Sequence, residues 1–227
     1  MTADGESIVL AREETERGEF VLRRRVGADG APVYEIIANG CFLMASTNAH
    51  SAGQLAHLGL QPLRSRAGLR VLIGGLGMGY TLRAALERPE VAHVEVVEIE
   101  PLVVEWAQSH LGLLNGGPLA DERVQVIVAD LAHFLEAATV PYDSILLDID
   151  NGPTWLVVEE NAAVYERPAL ERMRALLTPG GVLAVWAAER APEFLTDLKR
   201  TFAWADEVGV LEETEGRRTE YFIYRAG

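Results

Sequence analysis

The chain has 227 residues, with 34 Asp and Glu against 20 Lys and Arg, for a formal net charge of −14. That balance excludes a sequence-independent grip on nucleic acid, which needs clustered cations, and no apolar run approaches the roughly 20 residues of a membrane span. A start without a basic-then-apolar leader and a single cysteine, Cys41, point to a cytoplasmic chain without disulfides.

The first elements read as β. Residues 19–26 and 32–37 flank a turn at 27–31 and predict a hairpin, and a further strand, 41–44, follows the turn at Asn39-Gly40. Arg23, Arg24 and Arg25 make no single patch on a strand, because alternate residues face opposite ways; a solvated edge strand is expected there. Residues 46–60 have helical spacing, with Leu55, Leu58 and Leu60 as apolar points.

From Leu69 onward strands and helices alternate. Strands at 70–74, 93–98, 124–128, 144–149 and 182–187 precede helices at 80–87, 101–111, 131–137, 168–177 and 191–201. Pro101 and Pro168 stand at first helical positions, and the TPGG run at 178–181 ends one helix and opens the next strand. The last strands, 207–211 and 219–224, are joined by a stretch too short for a helical crossover, so they form an antiparallel hairpin. The strands are near-continuous Val, Ile and Leu, as when helices cover both faces. The expected fold is α/β: a doubly wound, mostly parallel seven-stranded sheet with a C-terminal antiparallel hairpin. Residues 1–60 form a small N-terminal β region with its helix, and 61–227 a Rossmann-like domain.

Four strand ends carry candidate chemistry. The turn after the first strand of the series contains Gly75, Gly77 and Gly79. Glycines there let a ligand approach the backbone, and the helix beyond offers free N–H groups. Glu98 ends the next strand, about 20 residues further on, where a carboxylate accepts from both hydroxyls of a ribose; otherwise it is a strand-end group facing water. Asp130 ends the third strand, either accepting from an adenine amino group or capping the helix at Leu131. Asp148 ends the fourth. A carboxylate emerging from an apolar strand is partly desolvated, which suits a general base; its plainer role is to orient the turn at 151–153. Trp155 and Tyr165 flank the cleft, as stacking groups or as core. The five histidines are scattered, and no zinc, P-loop or G-x-S-x-G spacing occurs, so no metal is expected.

Taken together these residues resemble the class I S-adenosylmethionine-dependent methyltransferase fold, and within it the spermidine synthase branch. The matching runs are VLIGGLGMGYTLR at 71–83, VEIE at 97–100, DERVQVIVAD at 121–130 and YDSILLD at 142–148. IANGCFLM at 37–44 through LAHLGL at 55–60 is similar to the branch's N-terminal β region and helix. The resemblance implies a donor, S-adenosylmethionine or its decarboxylated form, held by Gly75, Gly77, Gly79, Glu98, Ile99, Asp130 and Leu131. It implies Asp148 as the catalytic residue, Asp150, Asn151 and Trp155 on the acceptor side, and a homodimer. Departures concern the acceptor. Met78 stands where the family's turn carries an Asp, Leu43 where it offers a Gln, Ala52 and Gly53 where it offers a Tyr-His pair, and Asn151 where it has a second Asp.

Because donor-binding positions persist while polyamine-binding ones are thinned, the first expectation is methyl transfer to a small-molecule acceptor, an amine among the candidates. The alternatives are a polyamine aminopropyltransferase using decarboxylated S-adenosylmethionine, and a non-catalytic nucleoside-binding protein. Nicotinamide dinucleotide binding is opposed only by the terminal hairpin, a fold analogy.

Overall fold

A computed structural model describes residues 7–47, 49–112, 116–149, 151–156, 161–214 and 216–227. The chain opens with a four-stranded antiparallel sheet in the order β1 (Ile8–Thr15), β2 (Gly18–Val26), β3 (Pro32–Ala38), β4 (Cys41–Ala45). β1 was not read from the sequence, and it moves β2 from an edge to the interior of this sheet. Arg23 and Arg25 share one face of β2, and their Nε atoms donate to the two carboxylate oxygens of Glu35 on β3, at 2.5 and 2.8 Å. Arg24 faces the other way and is exposed. The arginine run is therefore a paired interior strand with one solvated member.

Helix α1 (Ala49–Leu60) follows, starting later than the expected residue 46. Its first turn is capped by a residue far along the chain: the Glu212 carboxylate accepts from the His50 and Ser51 N–H groups at 3.0 and 2.8 Å.

The larger sheet contains β5 (Leu69–Gly74), β6 (Val91–Glu98), β7 (Val124–Val128), β8 (Tyr142–Leu147), β9 (Leu177–Ala187), β10 (Ala205–Thr214) and β11 (Arg217–Ala226). Its order is β10-β11-β9-β8-β5-β6-β7. β5 to β9 run parallel, and β11 pairs antiparallel with both β9 and β10. The seven-stranded arrangement and its terminal hairpin are as expected. β9 begins earlier than the expected residue 182, at Leu177, and the TPGG run opens this strand as expected.

The connecting helices are α2 (Tyr80–Leu86), α3 (Pro101–Gln108), α4 (Leu131–Ala137), the short α5 (Ala162–Tyr165), α6 (Arg167–Leu176) and α7 (Pro192–Thr201). Alternating strand residues divide the core between two faces, as a period of two requires. Val71, Ile73, Val94 and Val96 pack with Leu55 of α1, Leu82 of α2 and Trp106 of α3. Leu72, Val97, Ile145 and Leu147 pack with Leu135 of α4, Leu170 of α6 and Leu198 of α7. A buried carboxylate, Glu95, lies within β6. Glu95 pairs with Arg70 at 2.5 Å and accepts from the Tyr142 hydroxyl, and burial with that contact pushes the Tyr142 phenol upward.

Strand order reverses at β5, whose neighbours are β6 and β8. A crevice forms outside the carboxyl ends of strands at such a point. The ends of β5, β6, β7 and β8 share that edge. No helix among the described residues is long and apolar enough to cross a membrane.

Candidate active site

The glycine turn after β5 is held from both sides. The Gly75 N–H donates to the Val97 carbonyl of β6 at 2.8 Å, and the Asp148 N–H beyond β8 donates to the Gly74 carbonyl at 2.8 Å. Gly75, Gly77 and Gly79 have φ of +87°, +51° and +78°, a region that glycine enters without strain. A Cβ on residue 75 would lie 2.2 Å from the Asp148 carbonyl oxygen. Glycine is required there by the neighbouring strand as well as by its own dihedral angles.

Glu98 is 8% exposed. Its Oε2 accepts from the Leu76 N–H in the turn and its Oε1 from the Glu100 N–H, both at 2.9 Å. Burial nevertheless raises its carboxyl above the ordinary range, outweighing these backbone donors. A carboxylate oxygen has two lone-pair directions, so each oxygen can still accept from a ligand hydroxyl. Asp130 is the N-cap of α4, its Oδ1 accepting from the His133 N–H at 3.0 Å. The capping role is present, and Asp130 also lines the cavity described next.

A cavity of ≈ 740 Å³ opens at this edge. Gly75, Gly77, Glu98, Ile99, Asp130, Leu131 and Asp148 all line it. Gly79 is not on its wall; it is the N-cap of α2. Asn151 is half-buried, and its carbonyl accepts from the Ala188 N–H at 3.0 Å. Trp155 is 54% exposed and does not line the cavity. Tyr165 is core: its ring packs edge-on against Phe194, and its hydroxyl donates to the Ile149 carbonyl at 2.8 Å. Asp150 lies outside the described residues. Met78 turns into the core at 5% exposure, while Gly75 and Gly77 are the turn positions on the cavity wall, Gly77 beside Met44.

The small N-terminal sheet supplies the opposite wall through Cys41, Leu43 and Met44 of β4 and through Glu16 and Arg17 of the β1–β2 turn. Arg17 Nη1 lies 3.6 Å from Glu100 Oε2. Asn161 and Val164 also line the cavity. Of these residues the sequence singled out only Leu43, because with β1 unread the turn at 16–17 had no place.

Asp148 is a half-buried residue whose carboxyl is raised by desolvation. Its Oδ2 lies 2.5 Å from the Thr81 hydroxyl, which also lies 3.0 Å from the Ala52 carbonyl oxygen of α1. Thr81 lies within the run at 71–83, and its place in that run alone assigns it no role. Among the described residues no three His, Cys, Asp or Glu side chains gather as a metal ion would need.

A sequence model of the spermine/spermidine synthase domain matches residues 51–198, from the start of α1 into α7. The chain belongs to that family. A polyamine aminopropyltransferase of Streptomyces coelicolor is 28% identical over 180 residues, covering 78% of this chain and 32% of the relative. One of Hyperthermus butylicus is 27% identical over 213 residues, covering 84% and 67%. A putrescine N-methyltransferase of Nicotiana tabacum is 33% identical over 121 residues, covering 52% and 30%. The chain thus spans about a third of the Streptomyces relative and two thirds of the Hyperthermus one. A crystal structure of spermidine synthase with the transition-state analogue AdoDATO matches with a TM-score of 0.78 at 18% identity, covering 96% of this chain and 73% of that one. The spermidine synthase resemblance and the fold expected from it both hold.

Proposed function

We propose that the protein transfers an aminopropyl group from decarboxylated S-adenosylmethionine to a small amine. This reverses the order expected from the sequence alone, in which methyl transfer came first. The reversal is supported by the Streptomyces and Hyperthermus aminopropyltransferases, which are matched over more of this chain than the N-methyltransferase is. The observation that carries the reading is the convergence of a glycine wall, Glu98, Asp130 and Asp148 on one cavity in a chain of this family.

The cavity suits an adenosyl sulfonium donor in three respects. Gly75 and Gly77 leave its wall free of side chains. Glu98 and Asp130 offer acceptors for ribose hydroxyls and an adenine amino group, with Ile99 and Leu131 as apolar flanks. Asp148 stands beside the glycine wall, where an acceptor nitrogen would meet the donor. When bound, the donor supplies an electrophilic carbon on sulfonium, and its thioether leaves. The protein's contribution is alignment and exclusion of water, with Asp148 orienting the acceptor or taking its proton. Asp150, Asn151 and Trp155 remain the acceptor-side residues of this proposal. Residues 61–227 form its donor-binding domain and residues 1–60 its cover, and the working form is a cytoplasmic homodimer.

Methyl transfer from S-adenosylmethionine is the second reading, favoured by the putrescine N-methyltransferase similarity and by Met78, Leu43, Ala52, Gly53 and Asn151. Incubation with each donor and a panel of diamines, followed by mass spectrometry, separates the two by the mass added. Binding of a donor without any product would favour a nucleoside-binding protein. If neither donor binds by calorimetry and Glu98→Ala changes nothing, the proposal fails.

A further inference from the structure

The contacts around Thr81 locate a proton. A threonine hydroxyl has one proton and two lone pairs. Thr81 Oγ1 has two oxygen neighbours at hydrogen-bond distance, Asp148 Oδ2 at 2.5 Å and the Ala52 carbonyl oxygen at 3.0 Å. The carbonyl can only accept. If Asp148 were ionised it too could only accept, and a single proton would serve two acceptors. That proton would then be split in a three-centre bond or leave one contact as an oxygen facing an oxygen, and a contact of 2.5 Å is shorter than a shared proton supports. A protonated Asp148 removes the conflict, and both distances lie in the O–H···O range.

We infer that Asp148 rests as the neutral carboxylic acid, its Oδ2 proton donated to Thr81 Oγ1, while Thr81 donates its own proton to the Ala52 carbonyl oxygen. Thr81 is 1% exposed, so water does not compete for these bonds. The surroundings agree. Ala52 is what α1 presents and Thr81 what α2 presents; near α5, Tyr165 directs its hydroxyl to the Ile149 carbonyl. Across the cavity stand the carboxyl groups of Glu98 and Asp130, and Arg17 lies beside Glu100. Among the described residues no cation acts on Asp148, and burial raises its carboxyl by more than the Thr81 contact lowers it.

The consequence concerns substrate form, and here it rests on the proposed reaction. A neutral acid does not pair with an ammonium ion. An amine acceptor meets Asp148 as the free base, the proton released on transfer then passing to solvent, or as an ammonium ion whose arrival expels the acid's proton to solvent and leaves a carboxylate able to take the amine's proton. Thr81 is thus a positioning residue that fixes which form enters.

The test uses the ligand-free protein, so it stands or falls apart from the question of donor. Infrared spectra of chain labelled with 13C at the aspartate carboxyl are compared with those of Asp148→Asn. The expected result is a protonated-carboxyl band near neutral pH that Asp148→Asn lacks and that disappears only at higher pH. The band should shift in Thr81→Val and stay in place in Thr81→Ser. NMR titration of the same carbon in the wild-type chain gives the protonation state without reliance on a variant's folding. An Asp148 that titrates in the ordinary carboxylate range overturns the inference. So does a protonated band that is unmoved in Thr81→Val.

Discussion

The backbone carbonyl of Asp148 occupies the space that a side chain on residue 75 would need, 2.2 Å from where its Cβ would stand. The turn after β5 and the end of β8 are therefore fitted to each other before any ligand arrives. Gly75→Ala must either open this junction or strain a backbone held at φ +87°. We expect a loss of about 2–4 kcal/mol in unfolding free energy, from backbone strain and the displaced neighbour together. Denaturant melts measure it, and calorimetry should show donor binding lost with it.

Glu98→Gln tests the other clamp on the turn. The carboxylate takes N–H groups from Leu76 and Glu100 on separate oxygens. An amide has one acceptor oxygen, so one N–H would face an NH2 group. Leaving that buried donor unpaired costs about 1–3 kcal/mol. Thermal melts should register this, and donor affinity should fall further than stability alone explains if Glu98 also accepts from the ribose.

The pH dependence of stability has two limbs with opposite signs. Burial raises Glu98 and Asp148, so the folded chain binds more protons than the unfolded one between the ordinary carboxylate range and the raised values. Their contribution is complete below that interval and declines as pH rises through it. Asp121 behaves oppositely. The Arg123 guanidinium holds it down to about 2, so its contribution is present above its ordinary value and is lost as pH falls toward about 2. In urea melts across a pH series, Asp148→Asn should flatten the upper limb and Asp121→Asn the acid limb. The opposite pairing of variant and limb would refute the assignment.

Glu212→Ala removes the cap on α1 from a strand distant in sequence. Two N–H groups lose a charged acceptor, and a loss of about 1–2 kcal/mol is expected, at the upper part of the capping range. Urea melts measure it; Glu212→Gln, which keeps one acceptor oxygen, should lose less.

The sheet and the rim of the cavity were legible because long apolar strands end abruptly in glycine or carboxylate. Val94 to Glu98 and Ile145 to Asp148 state both an element and its end. β1 was not legible because most of its residues are exposed, and no buried face imposes alternation on IVLAREET. With β1 went the β1–β2 turn, and with the turn the positions of Glu16 and Arg17. Within the glycine turn, the left-handed dihedral angles decide which residue points inward, and spacing does not reveal that Met78 is core and Gly77 is wall. Thr81 was hidden for a different reason. Its partners are a carbonyl of α1 and a carboxyl beyond β8, and no sequence pattern records a meeting of three separate segments.

The cap formed by Glu212 has a reach beyond helix stability. The helix it secures is the one whose Ala52 carbonyl completes the Thr81 chain. Damage to the outermost strand, such as a nick or a frameshift late in the reading frame, would therefore reach the cavity as a change in acidity, although every residue of its wall remained intact.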